Sequence, residues 1–549
     1  MRRAFAHAMG RGPYSHGFPL MSLSRGAPGA TFPQRPPEAA SICDIMDRSS
    51  SWLPLLLALG SLGACGQESA PGPRHVLLVT LDTTRADHLG AYGQAQFETP
   101  ALDALAAEGT VFEQCSSAAA TTLSSHASLM TGTYPLRHGV ARNGFSIHGS
   151  NRMLAEVLGE AGFRCAAFVA SSALVSSTGL DQGFEVYDER LDLPASPGGN
   201  DQAQRRAASV TSAVLGHVDE VLGADGANGG ERMFLFAHYF DPHAPYGAPG
   251  SPRVADFDDI EAAVVAQQRR HLPAAATPPG QQGVISAGLP ESLARMFAPA
   301  PGAGDLELAA LYGAEVEYLD AELGRLLAGL AARGVLEDTL VVITADHGET
   351  FWEQGNFWNH GLWVGQPDVH VPLLVRGPGV RRRARVGTPV SGVDVAPTIL
   401  EAVGLSPGAQ DDPGRGRSLL EALRGGALPD RAVFAEATQP GPLLEGGEGL
   451  VWPGERKPQA VRLGPWKLVV APYLGLRQLF HLGADPGERR DLLVGDLSAE
   501  ARDALGILER AHAAWRGAAS PRPSAFDPAQ AEALKGLGYG DGSAPSQPR

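Results

Sequence analysis

Residues His75 to Asp82 read HVLLVTLD, an apolar and β-branched run that closes on an acidic side chain. A continuous apolar run of this length is typical of a strand buried on both faces of a parallel sheet. Similar runs lie at Ala166–Ala170, Met233–Phe240, Leu340–Thr344 and Val371–Val375. Helical stretches separate them, for example Thr99–Glu108, Arg152–Ala161 and Leu306–Ala332. The alternation predicts an α/β fold with a central, mostly parallel sheet flanked by helices.

A second pattern begins near Arg431, where short strand-like runs replace the alternation. These runs lie at Val433–Glu436, Ala460–Leu463, Trp466–Val470 and Gln478–His481. They predict a small antiparallel sheet in a C-terminal subdomain of residues 426–540, packed on a main domain of residues 75–425. Within the main domain, the Pro-, Ala- and Gly-rich residues 247–305 are interpreted as a variable insertion near the functional rim. Residues 541–549 are predicted to form a disordered tail.

Residues 46–65 have the pattern of an export signal. A positive charge precedes an apolar core, Trp52–Leu62, which is too short to span a bilayer. The run ends in LGAC and resembles a bacterial lipoprotein signal with lipid attached to Cys65. A buried helix is the alternative, but a Gly-, Ser- and Pro-rich linker, residues 66–74, follows directly. We therefore expect a lipid-anchored protein of the bacterial cell envelope, periplasmic or at the outer membrane, with residues 1–45 a mis-assigned start or disordered leader.

The overall composition restricts the class of partner. The 549 residues are 44% hydrophobic and 19% charged, as in ordinary globular proteins, and the net charge is −16. A nucleic-acid partner is not expected, because the only basic run is Arg381–Arg383. No lysine precedes Lys457. The expected membrane contact is the lipid anchor alone, and the composition predicts no particular oligomeric state.

The four cysteines match neither a zinc knuckle nor a CxxC redox motif. With Cys65 lipidated, Cys115 and Cys165 would remain in the exported protein. An oxidising compartment permits a disulfide between these two, and their spacing leaves the question open.

Two of the predicted strands end in side chains that bind metals. Asp82 closes the first, and Asp346-His347-Gly348-Glu349 follows Leu340–Thr344. Aspartate and histidine are suitable ligands for a divalent cation, and the glycine permits close backbone approach. Alternatively, Asp82 is a helix N-cap and His347 a surface residue.

A cluster of small hydroxylated residues opens a helical run at Thr121–Gly132, which reads TTLSSHASLMTG. Helix N-termini bind anions through their free N–H groups, so an anion site is predicted around Thr122. Alternatively, Ser124 and Ser125 are N-caps, which leaves Thr122 unexplained. Two histidines are further candidates: His243, with prolines at 242 and 245, and His360, fourteen residues beyond Asp346.

Taken in order, these segments resemble the sulfatase family of the alkaline phosphatase superfamily. The matching blocks are LDTTRADHLGAYG, TPALDALAAEGTVFEQ, TTLSSHASLMTGTYPLRHGV, HYFDPHAPY, YGAEVEYLDAELGRLL, TLVVITADHGE, NHG and VPLLVRGPGV, with GPWKL, LFHLGADPGERRDL and ALKGLGY nearer the C-terminus. The resemblance implies an enzyme with an alkaline-phosphatase-like fold that acts on a small anionic ester. It makes Asp82, Asp346 and His347 metal ligands, and it makes Thr122 the nucleophile and a fourth ligand. It further implies that His126 replaces a family arginine, and that His243 and His360 contact the anion or protonate the leaving group.

The chain departs from the family's pattern at its nucleophile. The family's C-x-P-x-R signature, whose first residue becomes formylglycine, is here Thr122-Leu123-Ser124-Ser125-His126. Oxidation of a threonine gives a ketone, so the aldehyde hydrate that expels sulfate cannot form. A threonine adduct must instead be opened by attack on its central atom, which favours phosphate mono- or diesters over sulfate. The predicted reaction is therefore metal-dependent ester hydrolysis through a covalent threonine intermediate.

The family's anion and metal contacts are altered as well. Its lysine–arginine clamp is missing, and Thr83 stands where the second aspartate of the usual pair would be. The reduced ligand set favours zinc or manganese over calcium or magnesium. A second metal at Asp241, His243 and His360 is a further hypothesis. Two other functions stay open: a transferase of envelope phospho-head-groups, and a non-catalytic binding protein on the same scaffold.

Overall fold

An eight-stranded sheet forms the centre of the molecule. The structure is a computed structural model that describes residues 72–191, 204–223, 230–249, 305–351, 353, 360–438, 457–519, 522 and 524. The leader and signal assigned to residues 1–65, with Cys65, lie outside the described residues. So do nearly all of the insertion at 247–305 and the whole tail at 541–549. The proposed domain boundaries stay predictions.

The strands are β1 His75–Leu81, β2 Thr110–Phe112, β3 Cys115–Ser116, β4 Phe163–Phe168, β5 Val186–Asp188, β6 Arg232–Tyr239, β7 Thr339–Ala345, β8 His370–Val371, β9 Leu373–Arg376, β10 Ala384–Val386, β11 Val390–Ser391, β12 Val433–Glu436, β13 Gln459–Leu463, β14 Trp466–Ala471 and β15 Leu476–His481. The α-helices are α1 Pro100–Glu108, α2 Thr122–Thr131, α3 Pro135–His138, α4 Leu154–Glu160, α5 Ala207–Leu222, α6 Asp305–Ala332, α7 Gln366–Val369, α8 Val395–Ala402, α9 Leu420–Leu423 and α10 Ala499–Gly517. Short 3₁₀ helices lie at Ala86–His88, Gly90–Tyr92, Ser172–Leu174, Ser176–Thr178, Leu336–Asp338, Gly392–Asp394 and Pro472–Leu474.

The large sheet has the strand order β10-β2-β9-β7-β1-β6-β4-β5. Strand β1 lies at its centre and is parallel to both neighbours, so Leu81 stands opposite Tyr239 of β6 and Ala345 of β7. All seven residues of β1 are buried, as the apolar run predicts. The α/β class with a mostly parallel, helix-flanked sheet is confirmed. Because the carboxyl ends of parallel strands meet at one edge, the segments after β1, β6 and β7 leave the sheet together.

The single parallel strand predicted over Val371–Val375 is wrong. Pro372 has no N–H to donate and divides the run into β8 and β9. Strand β8 pairs with β3, which also pairs with β11, in a separate three-stranded sheet. Strand β9 returns to the large sheet but runs antiparallel to both β7 and β2. The sheet is therefore mixed on this side of β7.

The small C-terminal sheet is confirmed as four antiparallel strands in the order β12-β13-β14-β15. Helix α10 packs on β13 and β14. Its Trp515 is 1% exposed and stacks on Phe434 of β12, with ring centroids 4.8 Å apart. Tyr134, just before α3, meets the same indole edge-on at 5.9 Å. This aromatic group joins the small sheet to the chain that follows α2.

Both cysteines left open in the sequence are buried free thiols. Cys115 lies in β3 and Cys165 in β4. Burial raises the pKa of Cys165 to about 12 and raises that of Cys115 as well. In the structure these two residues form no disulfide.

Among the helices that the structure describes, none combines the length and the apolar character needed to cross a membrane.

Removing the Trp515 side chain tests the aromatic contact between the small sheet and the chain that follows α2. We expect Trp515→Ala to lower the free energy of unfolding by about 3–5 kcal/mol, because it leaves a large cavity against Phe434 and Tyr134. Urea denaturation followed by circular dichroism measures the difference. Ile507→Ala, on the same helix and 43% exposed, is the control, and an equal loss in both variants would contradict the assignment.

Candidate active site

Two aspartates meet where β1 and β7 end. Asp82 and Asp346 each follow the last residue of adjacent, parallel strands, and His347 comes next in the chain. Ligand atoms of these three residues lie within 4.8 Å of one another, and all three side chains are buried. It is the only such group of three within the described ranges. The predicted metal ligands are therefore brought together.

Each aspartate has one oxygen held by the protein. Asp82 Oδ2 accepts from His238 Nε2 at 3.1 Å, and Asp346 Oδ1 accepts from the backbone N–H of His347 at 2.8 Å. The other oxygens, Asp82 Oδ1 and Asp346 Oδ2, have no hydrogen-bond partner among the described residues. Burial raises the pKa of both carboxyls, since a charge held away from bulk solvent is costly. Two unpartnered oxygens on neighbouring buried acids are the environment that a divalent cation fits.

His347 presents its second nitrogen to the same point. Its Nδ1–H donates to the carbonyl of Gly348 at 2.8 Å, so Nε2 is the ring nitrogen that faces the cluster. Nε2 lies 3.4 Å from Asp346 Oδ2 and 3.5 Å from Thr122 Oγ1. The close backbone approach expected at Gly348 is present, because a Cβ there would overlap the Pro367 carbonyl oxygen. The predicted nucleophile thus lies beside the candidate ligands.

Thr83 stands where the resemblance places a second aspartate. It adopts the left-handed conformation with φ 51°, which is unusual for a β-branched residue. Its N–H donates to Asp346 Oδ1 at 3.3 Å, and its carbonyl accepts from the Tyr312 hydroxyl at 3.0 Å. Thr83 therefore supports the cluster through its backbone.

Thr122 is the first residue of the ten-residue helix α2. The two serines that follow do not cap the helix: Ser124 Oγ donates to the Val140 carbonyl at 2.8 Å, and Ser125 Oγ donates to the Asp346 carbonyl at 2.6 Å. The N-cap interpretation of these serines is therefore wrong. Ser125 instead joins the nucleophile's helix to the backbone of a candidate ligand.

Asn143 is a site residue that the sequence analysis missed. Its Oδ1 accepts from the N–H of Leu123 at 2.8 Å, so the amide lies against the N-terminus of α2 next to Thr122. The side chain is 5% exposed, and Nδ2 has no hydrogen-bond partner among the described residues. Asn143 is twenty residues from Leu123 in a segment without periodicity, which is why no pattern indicated it.

The anion contact expected of His126 must be corrected. The ring is fully buried, with Nδ1 2.7 Å from the Thr122 carbonyl and Nε2 2.9 Å from Thr80 Oγ1. A carbonyl only accepts, so Nδ1 carries the proton and Nε2 accepts from the threonine hydroxyl. Burial lowers the pKa of His126 to about 3. The side chain is thus a neutral interior group and does not replace a cationic clamp.

His243 and His360 both lie beside the cluster. The His360 ring centroid is 4.4 Å from that of His347 and 5.4 Å from that of His243, which stacks on Phe240 at 4.4 Å. His243 Nδ1–H donates to the Ala244 carbonyl at 2.6 Å. Burial lowers the pKa of His243 to about 4, so the ring is neutral and presents a lone pair at Nε2.

A buried acid that the sequence analysis left without a role holds His360. Glu349 Oε2 lies 3.1 Å from His360 Nδ1, and burial raises the pKa of Glu349 to about 8. Burial also lowers the pKa of His360 well below its usual range. At neutral pH Glu349 is therefore protonated and His360 is neutral. The Glu349 hydroxyl donates to Nδ1, and the ring hydrogen of His360 lies on Nε2.

The same loop is fastened to the small sheet. Thr438, just beyond β12, donates its N–H to the Gly361 carbonyl at 3.0 Å. Gly361 has φ 87°, and a Cβ there would lie 2.8 Å from Thr121 Cγ2. Within β12, the N–H of Glu436 donates to the Ala118 carbonyl at 3.0 Å. Strand β12 thus holds both the His360 segment and the chain that leads to Thr122.

Asp241 does not join the other two residues proposed for a second metal. Its Oδ2 accepts from the Ala207 N–H at 3.0 Å at the start of α5, and Oδ1 lies 3.4 Å from the Arg206 guanidinium. Burial raises its pKa to about 7, against the opposing effect of Arg206. The Asp241 carboxyl therefore holds the start of α5 against the loop that follows β6.

Lysines do not reach the cluster from the small sheet. Lys457 Nζ pairs with Glu436 Oε1 at 3.0 Å, and Lys467 Nζ pairs with Glu488 Oε1 at 2.6 Å. Both ammonium groups are buried in these pairs. Within the described residues, both lysines are thus bonded to carboxylates outside the cluster of Asp82, Asp346 and His347.

Known proteins are similar to this chain over much of its length. The family model described as Sulfatase matches residues 74–405. The choline-sulfatase of Rhizobium meliloti is 32% identical over 185 residues, which are 33% of this chain and 32% of that protein. The alignment thus spans about a third of that relative. The N-acetylgalactosamine-6-sulfatase of Canis lupus familiaris is 25% identical over 84% of this chain and 88% of its own.

A solved structure is also similar over most of the chain. The phosphonate monoester hydrolase of Silicibacter pomeroyi superposes with a TM-score of 0.58 and 25% identity. The superposition covers 82% of this chain and 96% of that one. The relatives therefore include proteins named for sulfate esters and a protein named for phosphonate esters.

The raised pKa of Asp241 makes a prediction for stability. Between its ordinary value of 3.8 and about 7 the folded carboxyl keeps a proton that the unfolded chain has released, so stability falls as pH rises. We expect wild-type protein to lose roughly 1.4 kcal/mol per pH unit relative to Asp241→Asn across this window. Urea unfolding of both proteins at pH 4, 5.5 and 7, with a chelator present, measures the difference. Parallel stability curves for the two proteins would contradict the assignment.

Proposed function

Since the chain belongs to the sulfatase family, we propose that it is a metal-dependent ester hydrolase whose nucleophile is Thr122. The observation that carries the proposal is the position of Thr122 Oγ1, 3.5 Å from His347 Nε2 and beside two aspartates with unpartnered oxygens. We propose phosphorus esters, rather than sulfate, as the preferred substrates.

The preference for phosphorus follows from the chemistry of threonine. Attack by Thr122 Oγ on the ester's central atom forms the Thr122 adduct and releases the alcohol. Water must then attack that atom and expel Thr122 Oγ, because the side chain has no second hydroxyl with which to break its own C–O bond. Phosphorus centres undergo this second displacement in the two-step hydrolases with an alcohol nucleophile.

The metal would be held by Asp82, Asp346 and His347, with Thr122 as fourth ligand. When bound, a divalent cation supplies positive charge that lowers the pKa of the hydroxyl and stabilises negative charge on the transferring group. The mixed carboxylate, imidazole and hydroxyl donors favour zinc or manganese. The carboxylate oxygens already held by His238 and His347 fix the directions in which the other two point.

We propose His360 as the group that protonates the leaving alcohol. Its Nδ1 is bonded to the protonated Glu349, so its own hydrogen lies on Nε2. As Nε2 gives this hydrogen to the leaving alcohol, Nδ1 takes the proton of Glu349, which leaves a neutral imidazole and a Glu349 carboxylate. His243 has the opposite arrangement, because its Nδ1–H is bonded to the Ala244 carbonyl. His243 Nε2 is therefore suited to accept a proton from the water that opens the adduct.

The charge of the site favours a singly charged ester. Two carboxylates and one divalent cation sum to zero, and residues 1–456 contain no lysine. Neutral donors remain, of which the Asn143 amide beside Thr122 is the nearest described candidate. Phosphodiesters and phosphonate monoesters, with one negative charge, match this balance better than doubly charged phosphate monoesters. The lipid anchor proposed at Cys65 would place the reaction at the cell envelope.

A substrate panel tests the function and its nucleophile. We expect turnover of methyl p-nitrophenyl phosphate and p-nitrophenyl phenylphosphonate with added zinc or manganese, and weaker turnover of p-nitrophenyl phosphate and p-nitrophenyl sulfate. Thr122→Ala should lower kcat/KM by at least about 1,000-fold, because the attacking oxygen is lost. Thr122→Ser, which keeps the hydroxyl, should retain turnover.

Thr121→Ala is the matched control, since the two adjacent threonines are equally buried at 1% exposure. We expect it to retain activity. Turnover of the sulfate ester alone would contradict the preference for phosphorus. Metal binding without turnover of any ester would instead favour a binding protein.

Dependence on the leaving group tests the role of His360. Loss of a general acid matters most when the departing oxygen is strongly basic, so His360→Ala should lower kcat for methyl phenyl phosphate by about 100-fold or more. The effect on methyl p-nitrophenyl phosphate should be much smaller, because p-nitrophenolate leaves without protonation. His243→Ala should affect both esters alike. Equal losses on both esters in His360→Ala would exclude the proposed role.

A further inference from the structure

Two imidazoles pack against the aspartate cluster. His126, on α2, and His238, on β6, are both fully buried. Their rings meet edge to face, with centroids 5.1 Å apart, and His126 Nδ1 lies 3.8 Å from Asp346 Oδ2. Both nitrogens of each ring are bonded to protein groups, so a function for the two rings must act through the residues they touch.

The hydrogen bonds of His238 fix its tautomer. The N–H of Ala170 donates to Nδ1 at 3.3 Å, which makes Nδ1 an acceptor and places the ring hydrogen on Nε2. Nε2–H then donates to Asp82 Oδ2 at 3.1 Å. The bond occupies one oxygen of Asp82 and leaves Oδ1 as the oxygen that lacks a partner. His238 thus determines the rotation of a carboxylate at the centre of the cluster.

His126 holds the nucleophile's segment in a comparable way. Its Nδ1–H donates to the Thr122 carbonyl at 2.7 Å, and its Nε2 accepts from Thr80 Oγ1 at 2.9 Å. Thr80 lies two residues before Asp82 on β1 and stands opposite His238 in the register with β6. The two rings therefore connect the first turn of α2 to the strand that carries Asp82.

We propose that His238 and His126 are positioning residues, His238 for the metal-binding carboxylate of Asp82 and His126 for the backbone of Thr122. The inference rests on the proposed function, in which Asp82 is a metal ligand and Thr122 is the nucleophile. Apolar side chains would fill the same space without the cost of burying polar imidazoles, but they would leave Asp82 free to rotate. Residues that orient a ligand in this way commonly contribute 10- to 100-fold to metal affinity.

Two substitutions of similar shape separate the hydrogen bond from the packing. Glutamine and methionine are unbranched and close in size, and only glutamine carries an N–H donor. We expect His238→Met to weaken the binding of zinc and manganese by about 10- to 100-fold. His238→Gln should bind several-fold more tightly than His238→Met. Isothermal titration of the full-length, chelator-stripped protein with each metal gives the dissociation constants.

His138 provides a matched control. It is also a fully buried histidine, and it bonds to Ser128 Oγ at 2.9 Å and to the Val140 N–H at 3.1 Å. We expect His138→Met to lower the melting temperature while leaving the metal dissociation constants within about threefold. Equal metal affinities in wild type, His238→Met and His238→Gln would overturn the role of His238.

The role of His126 has a separate readout. We expect His126→Gln to lower kcat at saturating metal while KM changes little, because the hydrogen bond of His126 is to the backbone of the proposed nucleophile. An unchanged kcat would overturn this part of the proposal.

The outcomes also distinguish this inference from the proposed function. Metal binding that depends on the His238 donor, without turnover of any ester in the panel, would support the positioning role and overturn the hydrolase. Wild-type protein that binds neither metal would overturn both.

Discussion

The candidate site depends on two carboxylates that lie side by side in the protein interior, where uncompensated negative charge is costly. Strands β1 and β7 are adjacent and parallel, so Asp82 and Asp346 leave the sheet at the same height. Each has one oxygen bonded to the protein and one without a hydrogen-bond partner among the described residues. A cation between them removes the repulsion and supplies the charge that ester hydrolysis needs. Strand order thereby determines the electrostatics, and the electrostatics determine the chemistry that the site can perform.

The side chains around this cluster are mostly neutral. His126, His238 and His243 have depressed pKa values because they are buried, while Glu349 keeps its proton to about pH 8. Neutral groups of this kind orient a bound ester through hydrogen bonds, and the tautomer decides which nitrogen donates. A lysine–arginine clamp would instead attract the ester through positive charge. The difference matters for substrate selectivity. Neutral donors select an ester by its geometry, and they do not compensate additional negative charge on it.

Much of the fold could be predicted because its strands are continuous apolar runs, of which His75–Leu81 is the clearest. Asp82 and Asp346 were recognisable because acids directly follow such runs. His238 was missed because it lies inside an apolar strand, where one polar residue in a buried run gives no sign of its partner. The burial of His126 was equally hidden, since α2 is buried on every side from Thr122 to Met130 although more than half of these residues are polar. The role of Asn143 depends on a contact with Leu123 in another segment, whereas the division at Pro372 follows from a proline that is visible in the sequence.

Backbone hydrogen bonds from Glu436 of β12 to Ala118, and from Thr438 just beyond β12 to Gly361, link the C-terminal subdomain to the main domain. Ala118 leads to Thr122, the proposed nucleophile, and Gly361 follows His360, the proposed proton donor; both are anchored to a segment encoded some 75 to 320 residues later in the gene. A shortened protein that stops before Val433 would lack this anchor. Under the proposed function, the C-terminal sheet therefore helps to set the distance between the two proposed catalytic groups.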